Sequence, residues 1–151
     1  MSQHRVMKKQ LHFDIITSIC AALLVLLCVY TAVSKLIDFD SFKEQMNNQG
    51  LYYWMTNAVI WLLPVTELFT AILLMIQKWR AVGFIISFFL LLAFTGYIAF
   101  RLIAGGEMPC SCGGVFKSMD WTTHLLFNIF FLLLSLIGIY IINRERRVTG
   151  N

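Results

Sequence analysis

Four apolar stretches, each long enough to cross a lipid bilayer, constrain this chain more than any other feature. A spanning helix needs about 20 mostly apolar residues, because the hydrocarbon core is about 30 Å thick and a helix rises about 1.5 Å per residue. The stretches cover about residues 15–35, 57–77, 81–103 and 122–142. None shows the alternation of a half-buried strand or the one-sided stripe of a soluble helix. The sequence therefore predicts an all-α integral membrane four-helix bundle, with residues 15–142 as its single transmembrane domain.

The composition leaves little of the chain for a soluble domain. Hydrophobic residues make up 59% of the 151 residues and charged residues 13%, against about 45–50% and about 25% in ordinary soluble domains. The first stretch follows basic residues, as a secretion signal does, but its apolar run is longer than the usual run of about 7–15 residues. No convincing cleavage site precedes Lys35. We therefore expect the first stretch to be retained as a helix.

The positions of the basic residues predict how the bundle is oriented, since Lys and Arg favour the cytoplasmic side of short loops. Eight of them lie in tail 1–14, in the turn after the second stretch and in tail 143–151, and four lie in or beside the other two connections. We expect a multi-pass protein of the inner cell membrane with both termini in the cytoplasm. Segments 34–57 and 104–121 would then face outward. Because the charges sit at the ends of apolar runs, the net charge of +4 indicates membrane topology, and nucleic acid is not an expected partner.

The first outward segment carries the pattern of a short amphipathic helix. Phe39, Phe42 and Met46 recur at helical spacing within residues 39–51, with polar residues between them. This predicts a short interfacial helix after the first span, lying on the membrane surface. An aromatic belt of the kind found at membrane interfaces follows it, formed by Tyr52, Tyr53 and Trp54.

The second outward segment contains two cysteines in the sequence Pro109-Cys110-Ser111-Cys112-Gly113-Gly114. In an oxidising compartment the two thiols could form a disulfide, and strained, exposed disulfides tend to be labile or catalytic. A redox pair that exchanges with a partner protein and a structural disulfide are both compatible with this pattern. A metal pair is the third interpretation: Cys110, Cys112 and His124 would suit copper(I) or zinc, but no fourth ligand is evident. We therefore predict no metal site.

Cys20 and Cys28 lie in the first stretch on roughly one helix face. Buried cysteine usually behaves as a small apolar side chain, and that is the expectation for both. Cys28 is nearer the outward side, where it could also relay electrons to the pair in the second outward segment.

Glu67 is an acidic residue near the middle of the second stretch, one turn after Pro64. Such a residue costs about 2.5–3.5 kcal/mol on insertion scales and usually faces the interior of the bundle. Glu67 is either neutral and hydrogen-bonded or paired with a cation. The candidate cations are Lys35 and Arg101, whose long side chains can reach inward from the outer ends of their helices. A structural role, a proton site and a quinone site are all compatible with this pattern.

Three polar or aromatic residues share one face where the fourth stretch begins, namely Trp121, His124 and Asn128. They could be an interfacial aromatic residue followed by two side chains that hydrogen-bond between helices. Alternatively, His124 could serve the cysteine pair as a proton shuttle, because imidazole titrates near physiological pH.

Several of these motifs together resemble the MauE branch of the MauE/DoxX family of redox-associated membrane proteins. The resemblance covers about residues 14–142 and rests on Lys35-Leu36-Ile37-Asp38, Pro64-x-x-Glu67, Phe94 with Tyr97, the double-cysteine segment, and Trp121 to Asn128. The sequence has Gly113-Gly114 where the commoner loop of the family has Phe-Gly.

The resemblance implies a redox role. MauE proteins are associated with the maturation of methylamine dehydrogenase together with a thioredoxin-like partner, and wider DoxX relatives include quinone-linked oxidoreductase subunits. By this resemblance Cys110 and Cys112 would be the redox pair, quinone a possible cofactor, and an exported thioredoxin-like protein the partner. The expected function is extracytoplasmic thiol-disulfide redox chemistry or maturation of a methylamine dehydrogenase-like or other exported enzyme.

Two other functions are compatible with the sequence. The chain could be a non-catalytic assembly subunit whose cysteines form a static disulfide, or a small transporter or metal-handling protein. Whether it is itself an oxidoreductase is left open by the sequence. A bundle this small could also form a homodimer.

Overall fold

The computed structural model describes residues 2–48, 52–103 and 121–149, and within these ranges all regular structure is helical. The helices are α1 (Ser2–Ile37), α2 (Phe39–Asn47), α3 (Tyr53–Met75), α4 (Arg80–Ile103) and α5 (Trp121–Thr149). All except α2 are long and apolar enough to cross a membrane. The predicted all-α fold, with four spans and a short helix after the first, is confirmed, and the chain is a multi-pass membrane protein.

The outermost helices extend well beyond the apolar stretches. α1 already begins at Ser2 and α5 continues to Thr149, although both ends are polar and charged. Neither end contains a proline or glycine that would interrupt the backbone hydrogen bonds, so hydropathy marks the span without marking where the helix ends. Pro64 lies inside α3, which the structure assigns as one helix from Tyr53 to Met75.

The four long helices form a ring. α1 packs against α3 and α5, and α4 packs against the same two helices, so α1 and α4 lie diagonally opposite each other. All four contribute to a central apolar cluster, made of Cys20, Ala21, Leu24, Leu74, Phe84, Leu91 and Phe131. Large apolar side chains such as Leu26, Phe89 and Leu126 are exposed on the outside, as expected of surfaces that face lipid.

A glycine allows α5 and α4 to approach closely. Phe84 on α4 is fully buried, and a Cβ atom built on Gly138 of α5 would overlap the ring of Phe84. Small residues at helix contacts serve this purpose in membrane proteins, because helix association there depends on close packing.

The short helix α2 is held by protein contacts. Phe42 and Met46 are buried in a cluster with Ile60 of α3, and the ring centroids of Phe39 and Trp61 lie 5.2 Å apart. The sequence predicted that α2 would be a short interfacial helix, and the structure adds that its apolar face packs onto α3. A neighbouring helix offers these side chains close packing, and periodicity alone could not distinguish that surface from lipid.

Two contacts place the basic segments at one end of the bundle. Arg80 at the start of α4 donates a hydrogen bond of 3.2 Å from Nη1 to Ser18 Oγ in the first half of α1. Near the end of α5, the Arg144 guanidinium lies 5.6 Å from the ring centroid of Phe13. The amino end of α1, the α3–α4 turn and the carboxyl end of α5 therefore meet at the same end.

Candidate functional site: a polar cavity among the four spans

A buried ion pair joins α1 to α3. Lys35 Nζ donates a hydrogen bond of 2.5 Å to Glu67 Oε1, and the two residues are only 3% and 4% exposed. Lys35 lies near the carboxyl end of α1, and its long stem allows the ammonium group to reach inward. Of the two cations considered from the sequence, the structure therefore brings Lys35 to Glu67. The side chain of Arg101 lies outside the described part of the structure.

The ammonium group also contacts an aromatic face, since Lys35 Nζ lies 5.7 Å from the ring centroid of Phe94 on α4. Within this range the ring attracts a cation electrostatically. Thr31 on α1 also faces Glu67, although its hydroxyl donates to the carbonyl oxygens of Leu27 and Cys28 at 3.0 and 3.1 Å. Among the described residues, the second carboxylate oxygen, Glu67 Oε2, is buried without a hydrogen-bond partner.

The ion pair borders a cavity of about 50 Å³ that all four spanning helices line. Its walls include the apolar Leu24, Leu27, Leu90 and Leu91. Its polar lining consists of Cys28, Thr31, Lys35, Glu67, Ser87, His124 and Asn128. Such a concentration of polar side chains inside a membrane bundle marks the cavity as the candidate functional site, because buried polar groups in lipid are costly and usually serve a function.

Helical spacing explains how these residues meet. On α1, Cys28, Thr31 and Lys35 follow one another at intervals of three and four residues, and His124 and Asn128 on α5 are four apart. Residues at these intervals share a helix face. His124 and Asn128 are 4% and 8% exposed, so both side chains face the interior of the bundle as the sequence suggested.

Most of the chain matches a known protein family. The family model described as methylamine utilisation protein MauE matches residues 13–141. The chain belongs to the MauE family. The match spans every residue that lines the cavity and both cysteines of segment 104–121. No curated protein and no solved structure matches the chain significantly.

The two intramembrane cysteines of this MauE protein occupy different surroundings. Cys20 and Cys28 are both buried free thiols. Cys20 belongs to the central apolar cluster, which agrees with its interpretation as a small apolar side chain. Cys28 instead lines the polar cavity together with Lys35 and Glu67, so the two thiols form a natural matched pair for experiments.

The structure brings some of the predicted site residues together and leaves others outside the described ranges. Four of them meet at the cavity: Lys35, Glu67, His124 and Asn128. Pro64 is buried in α3 but is not among the cavity-lining residues. The others fall outside the described residues or side chains: Cys110, Cys112, and the side chains of Arg101 and Trp121.

Sequence reasoning did not propose Thr31 and Ser87 as site residues. Thr31 could have been found, because it lies between Cys28 and Lys35 on the same face of α1. Ser87 gave no such signal, since a serine in an apolar helix commonly bonds back to a carbonyl of its own helix. Here Ser87 is 2% exposed, and its hydroxyl has no hydrogen-bond partner among the described residues.

The cavity does not fit a quinone. Its volume of about 50 Å³ is well below the range of about 300–1,000 Å³ that is usual for small-molecule sites. For metals, the described residues contain no group of three or more His, Cys, Asp or Glu side chains arranged to hold an ion. The cavity therefore offers space on the scale of a few water molecules.

Proposed function

We propose that this MauE-family protein takes part in extracytoplasmic thiol-disulfide exchange, with Cys110 and Cys112 as the exchanging pair, and so serves the maturation of an exported partner enzyme. One observation carries the proposal. The segment with both cysteines joins Ile103 of α4 to Trp121 of α5, at the bundle end where Lys35 and His124 line the polar cavity. The thiol pair is thus tied to the end of the bundle at which the intramembrane polar residues collect.

The orientation required by this function is part of the proposal. Eight of the twelve Lys and Arg residues lie in the two tails and the α3–α4 turn, and contacts of Arg80 and Arg144 gather these segments at one end. The positive-inside rule assigns that end to the cytoplasm. Both termini are then cytoplasmic in the inner membrane, and the cysteine segment faces the compartment in which disulfides persist.

The exchange proceeds through a mixed disulfide. A thiolate of the partner enzyme attacks one sulfur of the Cys110–Cys112 disulfide, whose S–S bond breaks as a new intermolecular bond forms. The second thiolate of the partner then displaces the remaining cysteine. The partner loses two electrons and two protons as its disulfide forms, and Cys110 and Cys112 gain them as thiols. The same exchange, run with the disulfide of a thioredoxin-like protein, restores the starting state.

His124 has a supporting role in this proposal. It lies in the first turn of α5, directly after the cysteine segment, and is buried at the cavity. In this proposal the imidazole takes up and returns the protons of the exchanging thiols, because it titrates near physiological pH. The description of the family names methylamine utilisation, so a methylamine-oxidising enzyme is the first partner to test, and another exported disulfide-containing enzyme the next.

Trapping of the mixed disulfide tests the function. With Cys110→Ser or Cys112→Ser, one of the two variants should accumulate a reductant-sensitive adduct with a thioredoxin-like protein in intact cells. Cys20→Ser is the matched control, because Cys20 lies in the apolar cluster, and it should behave as the wild type. If neither variant forms an adduct and the double variant still supports full maturation of the partner, the protein is a static assembly subunit.

Labelling from outside the cell tests the orientation. The chain has four cysteines, so a variant with Cys110→Ser and Cys112→Ser retains only the buried Cys20 and Cys28. After mild reduction, a membrane-impermeant maleimide should label the wild type but not this variant. Tags on either terminus should stay protected from an external protease. Exposed tags together with an unlabelled wild type would invert the topology and remove the basis of the proposal.

A further inference from the structure

We propose that the polar cavity holds a small cluster of bound water molecules that connects His124 with Glu67 and forms a proton path into the bundle. The evidence for bound water comes from the cavity alone. Only the use of the path, which is to carry protons during thiol exchange, rests on the proposed function.

Two unsatisfied polar atoms at the cavity indicate bound water. Glu67 Oε2 and Ser87 Oγ have no hydrogen-bond partner among the described residues, and both residues are more than nine-tenths buried. They belong to different helices, α3 and α4, and both line the same cavity. Buried polar atoms without protein partners are usually satisfied by ordered water, which typically makes two to four hydrogen bonds.

The cavity has the size and the lining that bound water needs. A single water requires about 10–15 Å³, and the cavity of about 50 Å³ has room for a few. Most of the lining surface is apolar, and a cavity lined by apolar groups alone stays dry. This one offers donors and acceptors from three spans besides Glu67: Cys28, Thr31, Lys35, Ser87, His124 and Asn128.

The charged and titratable groups around Glu67 define the ends of the path. α1 contributes Lys35 and Cys28, and α5 contributes His124. The cavity-lining residues of α4 include no charged or titratable residue. A proton released by His124 passes along hydrogen-bonded waters to Oε2 of Glu67, and no bond to carbon or sulfur changes. The Lys35 ammonium, which stands over the ring of Phe94, keeps its place and charge throughout.

Radiolytic hydroxyl-radical footprinting of the protein in lipid nanodiscs tests the water site, because radicals formed from bound water modify adjacent side chains. Cys28 and Cys20 are matched, since both are buried thiols of α1 and only Cys28 lines the cavity. Phe94 is only half-buried, so it is not a matched partner for the fully buried Phe84, and the two cysteines decide the test. We expect Cys28 to be modified at least severalfold faster than Cys20. Equal rates for the two thiols would overturn the proposal.

A cavity-filling variant locates the water. Ser87→Val replaces an unsatisfied hydroxyl with an apolar branch and should lower the modification of Cys28 to the level of Cys20. Ser135→Val is the control: Ser135 is also fully buried, but its hydroxyl donates to the Leu132 carbonyl and it does not line the cavity. If Ser87→Val does not fold, Asn128→Leu makes the same prediction at similar volume. Unchanged modification of Cys28 in a folded variant would refute the assignment.

The use of the path is tested separately by the rate of thiol-disulfide exchange in H₂O and in D₂O. Ser87→Val should slow exchange severalfold and change its solvent isotope effect, while Ser135→Val should not. If footprinting finds the water but Ser87→Val exchanges at the wild-type rate, the cavity is hydrated and the proton path is wrong. If the wild type exchanges no thiols at all, the proposed function fails, and footprinting still decides whether the cavity holds water.

Discussion

Replacing Lys35 with methionine tests the ion pair that joins α1 to α3. Methionine keeps a similar stem length but has no charge, so the Glu67 side chain, only 6% exposed, loses its counter-ion. Removing one partner of a buried pair costs about 3–5 kcal/mol, because the other charge stays buried without compensation. At 1.36 kcal/mol per factor of ten, the unfolding equilibrium constant should rise by about two to four orders of magnitude.

A double-mutant cycle separates the pair from the packing around it. Replacement of a whole buried ion pair by apolar residues is often neutral or stabilising by about 1–4 kcal/mol. The Lys35→Met, Glu67→Met double variant should therefore recover most of the stability that Lys35→Met loses. Lys43→Met is the control for the lost charge, since Lys43 is exposed on α2 and should change stability by less than about 0.5 kcal/mol.

Unfolding can be followed in mixed micelles by titrating a denaturing detergent against a mild one, with helicity as the signal. A thiol-reactive fluorophore gives a second signal in a background of Cys110→Ser and Cys112→Ser, because Cys20 and Cys28 are buried until the bundle opens. The reasoning is refuted if Lys35→Met is as stable as the wild type. It is equally refuted if the double variant loses the sum of the two single losses.

Two further stability predictions use the same unfolding assay. Gly138→Ala should destabilise the bundle by about 1–3 kcal/mol, because its Cβ would overlap the ring of Phe84. Gly96→Ala is the control: this glycine has open space around it, so the substitution should be neutral or stabilising by up to about 1 kcal/mol. Equal effects of the two substitutions on stability would contradict the close packing of α4 and α5. Phe42→Ala should release α2 from α3, and amide hydrogen exchange should become faster only in α2 and in the residues of α3 that it contacts. Phe100→Ala removes an exposed ring and should leave that exchange unchanged. If the α2 amides stay protected in Phe42→Ala, other contacts hold the helix.

The fold could be predicted because the bilayer imposes a simple rule on sequence. Mostly apolar stretches of about 20 residues have few alternatives to a spanning helix, and all four appear in the structure. The rule says nothing about the ends of helices outside the bilayer, and α1 and α5 therefore extend into the predicted tails. It also gave no means of telling whether the apolar face of α2 meets lipid or a neighbouring helix.

The candidate site could be predicted only in part. Glu67 could be recognised as a site residue from the sequence, because a lone carboxylate in a span needs a partner inside the bundle. Both α1 and α4 pack against α3, so neither hydropathy nor helix order could decide between Lys35 and Arg101. The pairing of Lys35 with Glu67 emerges only from the positions of the side chains in the assembled bundle. Ser87 could not be predicted as a site residue. It lines a cavity between α4 and the other helices, and that cavity exists only once the whole bundle has assembled.

The ion pair between α1 and α3 also constrains how the protein is made. Lys35 and Glu67 lie on the first two spans to leave the ribosome. Glu67 is near the middle of its span, where a charged residue costs about 2.5–3.5 kcal/mol on the scale of translocon insertion. The ion pair can form only after both α1 and α3 have been inserted. A nascent chain that ends before α3 therefore has an uncompensated Lys35 near the lipid. Membrane quality-control proteases that sense such charges could therefore distinguish a truncated or misinserted chain from one whose first two spans have met.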